Sequence, residues 1–136
     1  MSELYLEIIT PSKVGYKGNV TSVTVPGTKG NFQILFNHAP VISSLEIGEI
    51  KIDEKDNGKL LFATSGGTIE VSNNKIIILA ESFELASEID SKRAEEAKAR
   101  AEERIQKRKE AEIDDFRAEM ALKRAINRLK ITNKHY

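Results

Sequence analysis

The chain has 136 residues, enough for one domain or for a small domain with an appendage. Its 21 basic and 21 acidic side chains cancel, which argues against a general binder of nucleic acids or anionic membranes. The absence of cysteine excludes disulfides, a thiol nucleophile and cysteine-ligated zinc. No apolar run approaches the ~20 residues that span a bilayer, and MSELYLEIIT lacks a secretory signal, so a cytoplasmic location is expected, with any membrane contact made through a partner.

Residues 1–86 alternate short apolar runs with turn sequences. The runs predicted as strands are LYLEII, VTSVTV, NFQIL, GEIKI, KLLFA, GTIEV and KIIIL. The predicted turns are Thr10-Pro11, Pro26-Gly27, Asp56-Asn57-Gly58, Gly66-Gly67 and Asn73-Asn74. This spacing of strands and turns predicts an all-β sandwich or barrel.

Residues 87–136 follow a helical period instead. Ser87 and Asp90 are a candidate capping box, and Asp90 can itself cap the first helix. Apolar residues then recur at 94, 97, 101 and 105, and after the basic run QKRKEAE a second stripe runs through 118, 121, 122, 125 and 129. Asp114 or Asp115 is expected to begin the second helix. An antiparallel α-helical hairpin is the simplest arrangement, with an alanine-rich seam that buries little area and opens at modest cost.

Two features invite a catalytic or phosphate-binding interpretation and do not sustain it. His38 in FNHAPVI has no catalytic signature beside it, and the other histidine, His135, is too distant in sequence to indicate a metal site. PGTKG at 26–30 lacks the Gly-Lys-Ser/Thr of a phosphate loop, so a strand-connecting turn is expected. The tip of that turn is a candidate contact loop on a rigid scaffold. It comprises Gly27, Thr28, Lys29, Gly30 and Asn31.

Arginines of the helical half form a candidate anion site. Arg93 and Arg100 share one helix face, and Arg124 and Arg128 share another. If the hairpin turns near 110–112, position 93 lies level with 128 and position 100 near 122–124, so four guanidiniums would converge on a phosphate. The alternative is a solvated surface, because charge pairs four residues apart, such as Glu96 with Arg100, stabilise a helix without any ligand.

Three segments in combination resemble one known family. VPGTKGNFQILFNHAPVISSLEIGEIKI, LLFATSGGTIEVSNNKIIILAE and EIDSKRAEEAKARAEERI, in that order, are similar to the epsilon subunit of bacterial F-type ATP synthase, which is H⁺-transporting. The resemblance implies a β-sandwich of about ten strands that binds the gamma subunit and the c-ring, followed by a regulatory two-helix hairpin. It implies a non-catalytic rotor subunit with no required cofactor, peripheral to the cytoplasmic side of the bacterial membrane. In this family the extended hairpin reaches the alpha and beta catalytic subunits.

The resemblance also implies a regulatory ligand. Some members bind ATP through Ile/Leu-Asp-x-x-Arg-Ala, and IDSKRA at 89–94 matches that motif. The motif and its accompanying positions are Glu84, Ile89, Asp90, Arg93, Ala94, Arg100, Arg124 and Arg128. ATP is expected to hold the hairpin folded and its loss to release it. Two other classes remain open from the residues alone: a free-standing β-sandwich adaptor with a helical interaction tail, and a small hydrolase built on His38.

Overall fold

A computed structural model describes residues 3–56, 58–111 and 115–132. Asn57, Asp114 and His135, which belong to the predicted turn, the predicted helix start and the histidine pair named above, lie outside these ranges. The described residues form ten strands, a short 3₁₀ helix and two α-helices. The strands are β1 (Leu4–Ile9), β2 (Val14–Val20), β3 (Ser22–Gly27), β4 (Gly30–Ile34), β5 (Val41–Leu45), β6 (Gly48–Glu54), β7 (Gly58–Thr64), β8 (Gly67–Ser72), β9 (Lys75–Ala80) and β10 (Phe83–Leu85).

The strands hydrogen-bond in the order β10-β7-β6-β3-β5-β8-β9-β1-β2, with β4 paired to β3. Every described pairing is antiparallel except that of β1 with β9. Alternate side chains point inward, so the side chains of Leu4, Leu6 and Ile8 are fully buried along β1. The predicted sandwich of about ten strands followed by a helical hairpin is confirmed.

One predicted strand is wrong. The alternation of VTSVTV predicts a single strand, but β2 ends at Val20 and β3 begins at Ser22. Between them, the Thr21 amide and hydroxyl both donate to the Asp53 carbonyl, at 2.8 and 2.9 Å. The chain leaves its pairing with β1 at this point and joins β6, so the alternation is broken and Ser22 and Val23 are both buried.

Three strands lie outside the runs that the sequence pattern predicts: VGYKGNV, VISSL and FEL. Glycine, lysine and asparagine dilute the apolar pattern in the first, serine in the second, and the third has only three residues. Strand propensity depends strongly on the neighbouring strands, which a local pattern does not contain.

The helices are the 3₁₀ helix Ala86–Glu88, α1 (Ser91–Glu110) and α2 (Phe116–Thr132). The predicted Ser87 capping box is wrong, because Ser87 lies inside the 3₁₀ helix. The cap of α1 is Asp90 alone, whose Oδ1 accepts from the Arg93 amide at 3.1 Å. None of the helices within the described ranges is long and apolar enough to cross a membrane.

The hairpin, defined as α1 and α2, is joined along an alanine seam. Ala94 and Ala101 of α1 and Ala118 and Ala125 of α2 are buried, as the two predicted stripes require. Helix α1 continues through the basic run to Glu110, so that run does not end the helix. At the start of α2, Asp115 accepts from the Ala118 amide at 3.1 Å, which makes Asp115 the cap.

Helix α2 also docks on the sheet. Ile131 is fully buried in a small cluster with Leu61, Ala63 and Ile89. The Asn127 side-chain amide donates to the Gly48 carbonyl at 2.8 Å. The hairpin is therefore held by its own seam and by contacts with β6, β7 and the residues before α1.

Candidate anion site between the hairpin and the sheet

A bidentate ion pair joins α2 to the edge of the sheet. Arg128 Nε donates to Glu84 Oε1 at 2.8 Å, and Arg128 Nη2 donates to Glu84 Oε2 at 3.0 Å. Both side chains are about one-third exposed. Paired hydrogen bonds between a guanidinium and a carboxylate fix orientation as well as distance. The pair therefore holds Arg128 against β10 when the hairpin is docked.

A small pocket, called here the interdomain pocket, lies beside this ion pair. Its volume is about 40 Å³, and it is lined by residues 63–65, Ser82 and Glu84 of the sheet side and by Arg124, Asn127 and Arg128 of α2. Arg124 is exposed, and its guanidinium has no carboxylate partner among the residues that the structure describes. The structure thus brings three of the predicted site residues together: Glu84, Arg124 and Arg128.

The two arginines of α1 that belong to the predicted site lie on the exposed surface of the hairpin. Neither Arg93 nor Arg100 has a carboxylate partner within the described ranges, so the predicted Glu96–Arg100 pair is not formed. Lysines make the ion pairs four residues apart on this helix, Lys98 with Glu102 and Lys107 with Glu103. Arg93 and Arg100 are therefore charges that no carboxylate among the described residues compensates.

Ion pairs near the turn indicate the relative height of the two helices. Arg104 Nη2 and Arg108 Nε lie 3.2 and 3.7 Å from Asp115 Oδ2, so position 106 is about level with 115. Both helices rise about 1.5 Å per residue in opposite directions, which puts position 93 about level with 128. Position 100 falls about level with 121, slightly nearer the turn than expected. Arg93 and Arg128 therefore lie at the same end of the hairpin, next to the sheet.

The remaining motif residues support the backbone around Arg93. Ile89 is only 9% exposed and packs in the cluster with Ile131, whereas Ala94 is fully buried in the seam. Asp90 Oδ1 is used by the helix cap. In this conformation the surfaces of Ile89 and Ala94 already contact protein, so these two residues position Arg93 from either side.

The candidate contact loop is the turn between β3 and β4. Gly27 pairs with Gly30, and Thr28, Lys29, Gly30 and Asn31 are exposed. Gly27 itself is buried, so only residues 28–31 of the candidate contact loop present an exposed surface. A Cβ at Gly27 would lie 2.8 Å from both the Gly30 carbonyl oxygen and the Phe32 ring, so only glycine fits.

His38 is part of a backbone turn. Its ring Nδ1 lies 2.7 Å from the Ala39 carbonyl oxygen, and its amide donates to the Leu35 carbonyl at 3.1 Å. Within the described residues there is no group of three histidine, cysteine or acidic side chains placed to hold a metal. Both contacts are with backbone carbonyls of neighbouring residues, so His38 has a structural role in the turn before Pro40.

Sequence reasoning missed the residues that dock the hairpin. Asn127 and Ile131 flank Arg128 on α2, and neither belonged to the predicted stripe or motif. Ile131 lies six residues after Ala125, whereas the seam alanines of α2 are seven residues apart. An apolar residue at this position therefore belongs to a different helix face, which is the local sequence signal of a second buried face. Asn127 carries no such signal, because its partner is a backbone carbonyl 79 residues away.

Comparisons with known proteins agree with this architecture. Residues 3–86 match the family model described as ATP synthase, Delta/Epsilon chain, beta-sandwich domain, and residues 87–133 match its long alpha-helix domain. The ATP synthase epsilon chain of an Exiguobacterium species is 40% identical over 96% of both chains. That of Desulforamulus reducens is 44% identical over 92% of this chain and 93% of the relative.

Among solved structures, a chain of the Euglena gracilis mitochondrial ATP synthase superposes with a TM-score of 0.80 at 18% identity. The match covers 93% of this chain and 79% of that one, and at such low identity it shows a shared fold. The family models together span almost the whole sequence. The chain belongs to the delta/epsilon chain family of ATP synthase.

Proposed function

We propose that the chain is the epsilon subunit of a bacterial F-type ATP synthase, a non-catalytic part of the central rotor. In this role it helps couple proton translocation to ATP synthesis, and its hairpin regulates ATP hydrolysis in response to ATP. Support comes from relatives named ATP synthase epsilon chain that align over nearly the full length. The regulatory part of the proposal is supported by the docked hairpin, which has an ion pair to the sheet and, beside it, arginines without a described carboxylate partner.

ATP is proposed to bind this end of the compact hairpin. The unpaired Arg93, Arg100 and Arg124 supply positive charge, and their guanidiniums suit phosphate oxygens. Glu84 holds Arg128 in place, and Asp90 fixes the first turn of α1 from which Arg93 projects. Ile89 and Ala94 complete the predicted site as the buried supports of this turn. ATP therefore needs the helices folded together to meet all four arginines.

The compact state is held by a small number of contacts, which the hairpin can give up when it opens. They are an alanine seam, one bidentate ion pair, one amide–carbonyl hydrogen bond and the burial of Ile131. A ligand shifts a two-state equilibrium only by its difference in affinity for the two states. Separation of the helices divides the arginines between them, so the extended state binds ATP less well. When ATP falls, the released α2 would reach the alpha and beta subunits.

The sheet domain is proposed to join the rotor through two surfaces. Ile42, Glu70 and Ile77 lie in one row across β5, β8 and β9, and Leu79 is on the same face. Ile42 is 79% exposed and Leu79 52%, which makes this face a candidate for the gamma subunit. The exposed loop residues 28–31, together with the buried Gly27 that shapes the loop, are proposed to contact the c-ring. These contacts would keep the chain peripheral, on the cytoplasmic side of the bacterial membrane.

Calorimetry on the full-length chain tests the regulatory proposal. Arg93→Ala and Arg124→Ala each remove charged hydrogen bonds worth about 1.5–3 kcal/mol apiece. The affinity for ATP should therefore fall roughly ten- to a hundred-fold. Arg117→Ala is the matched control, because Arg117 is an exposed arginine in the first turn of α2, away from the sheet.

Equal loss of affinity in Arg117→Ala would indicate a diffuse charge effect and contradict the site. No binding by the unmodified chain at millimolar ATP would remove the sensor while leaving the family membership intact. The rotor assignment is checked separately by co-purification of the chain with the gamma subunit and the membrane ring.

A further inference from the structure

Hydroxyl groups of the sheet line the interdomain pocket beside Arg124. Ser65 Oγ and Ser82 Oγ are 2.6 Å apart, and both residues line the pocket. Their hydrogen bond uses one hydroxyl proton, which leaves the other proton of the pair free to donate. No other side-chain hydrogen bond of either serine is present within the described ranges. The pair therefore offers a donor that the fold itself does not need.

Several neighbouring polar groups already have partners. The Thr64 hydroxyl accepts from the Gly66 amide at 3.2 Å and donates to the Ser82 carbonyl at 3.0 Å. Asn127 donates to Gly48, and Glu84 is occupied by Arg128. The donors left for a ligand at the pocket are the free hydroxyl proton, the Arg124 guanidinium and the N–H groups of Arg128 that Glu84 does not use. Because these donors include two guanidiniums, the complementary ligand is an anion rich in oxygen acceptors.

The size of the pocket restricts what enters it. A volume of about 40 Å³ accepts one or a few water-sized atoms and excludes a nucleobase. Oxygens of a single phosphate group meet this limit. The lining comes from both the sheet and α2, so an anion held here contacts the two parts of the molecule at once.

We propose that the interdomain pocket is a subsite for one phosphate group, whose oxygens accept from the Ser65–Ser82 hydroxyl pair and from Arg124. When the phosphate belongs to ATP, this inference rests on the function proposed above and adds two sheet residues to the sensor. The phosphate then ties α2 to the sheet directly, in addition to drawing the two helices together. Inorganic phosphate has the same chemistry and is the other possible source.

The experiment uses the full-length chain, the variant Ser65→Ala/Ser82→Ala, and calorimetric titration with ATP and with inorganic phosphate. Removal of both hydroxyls leaves neither serine's partner unsatisfied, so stability to urea should be nearly unchanged. The affinity for the bound anion should fall about ten-fold or more through loss of one hydrogen bond to a charged group. Ser44→Ala, at an exposed position on β5, should bind as the unmodified chain does.

Each outcome separates the subsite from the ATP switch. Unchanged affinity of the double variant for both anions overturns the subsite, and the ATP switch stands if ATP binds. Serine-dependent binding of inorganic phosphate without any ATP binding supports the subsite and overturns the ATP switch. If neither anion binds the unmodified chain, both proposals fail. Amide shifts of Ser65 and Ser82 in NMR spectra on titration should localise the binding, and shifts confined to other residues would contradict it.

Discussion

Asp115 shows how one side chain sets the geometry of the hairpin. Its Oδ1 caps α2 through the Ala118 amide, and its Oδ2 meets Arg104 and Arg108 of α1. The Ala118 amide, and then the two guanidiniums, hold the pKa of the Asp115 carboxyl below its usual value. One carboxylate thus begins the second helix and fixes its height against the first.

The lowered pKa predicts a pH-dependent stability. A carboxyl whose pKa is depressed in the folded state stabilises it fully above the unfolded pKa of about 3.9, and loses this effect as pH falls through the folded value. The substitution Asp115→Asn would keep a capping oxygen but remove the charge. At neutral pH this variant should therefore unfold at lower urea than the unmodified chain, and the difference should close as pH falls below the unfolded pKa and through the lowered folded pKa. Circular dichroism measures the urea midpoint of the two proteins at each pH. A difference in midpoint that does not change with pH would contradict the role of the ion pairs.

At the scale of elements, the seam of the hairpin was predictable and its docking was not. Alanines at heptad-like spacing defined two facing stripes, and the structure buries Ala94, Ala101, Ala118 and Ala125 as expected. The docking of α2 depends on Ile131 and on the Gly48 carbonyl, which belong to a long-range contact. Periodicity within a helix reports which face is apolar, but it does not report which distant strand covers the second face.

The same distinction applies to the candidate site. Glu84 pairs with Arg128, and Arg124 lines the pocket beside them. The spacing indicates that the two arginines share a helix face, and the family resemblance supplies Glu84. Ser65 and Ser82 gave no signal, because serines at strand ends are common and their pairing appears only after β10 folds beside β7. The family resemblance identifies the arginines of the site, whereas the hydroxyl groups can be identified only once the packing of the sheet is known.

The close seam makes a prediction for packing. Ala118 is fully buried between the helices, so Ala118→Leu forces a larger side chain into a filled space. Overpacking of this kind should destabilise the hairpin by about 1–3 kcal/mol. Ala99→Leu on the exposed face of α1 is the control and should be nearly neutral, since leucine is also a good helix former. Hydrogen exchange of the α2 amides measures the stability of the hairpin. Equal exchange rates in the two variants would show that the seam does not hold the helices together.

At the scale of the whole molecule, the sheet and the hairpin have separate exposed surfaces, which are proposed to contact separate partners. The row of Ile42 and Ile77, with Leu79 beside it, lies on the outer face of the sheet. The unpaired arginines lie on the hairpin. A chain that binds the rotor through one surface can therefore move the other without leaving the complex.

The outer sheet face predicts a specific loss of assembly. Ile42→Lys places a charge in the centre of a surface that the gamma subunit is proposed to bury, so affinity for gamma should fall by at least about ten-fold. Ile126→Lys alters another exposed apolar residue, on α2, and should leave that affinity unchanged. Surface binding measurements with purified gamma compare the two. Similar affinities for both variants would exclude this face as the gamma contact.

ATP is proposed to stabilise the docked hairpin, and native-state hydrogen exchange tests this proposal most directly. If ATP binds the docked state alone, a concentration about one hundred times its Kd adds about 2.7 kcal/mol to the free energy of opening. Amides of α2 should then exchange about one hundred-fold more slowly with ATP, and this slowing should disappear in Arg124→Ala. Binding of ATP with unchanged exchange in α2 would contradict the account.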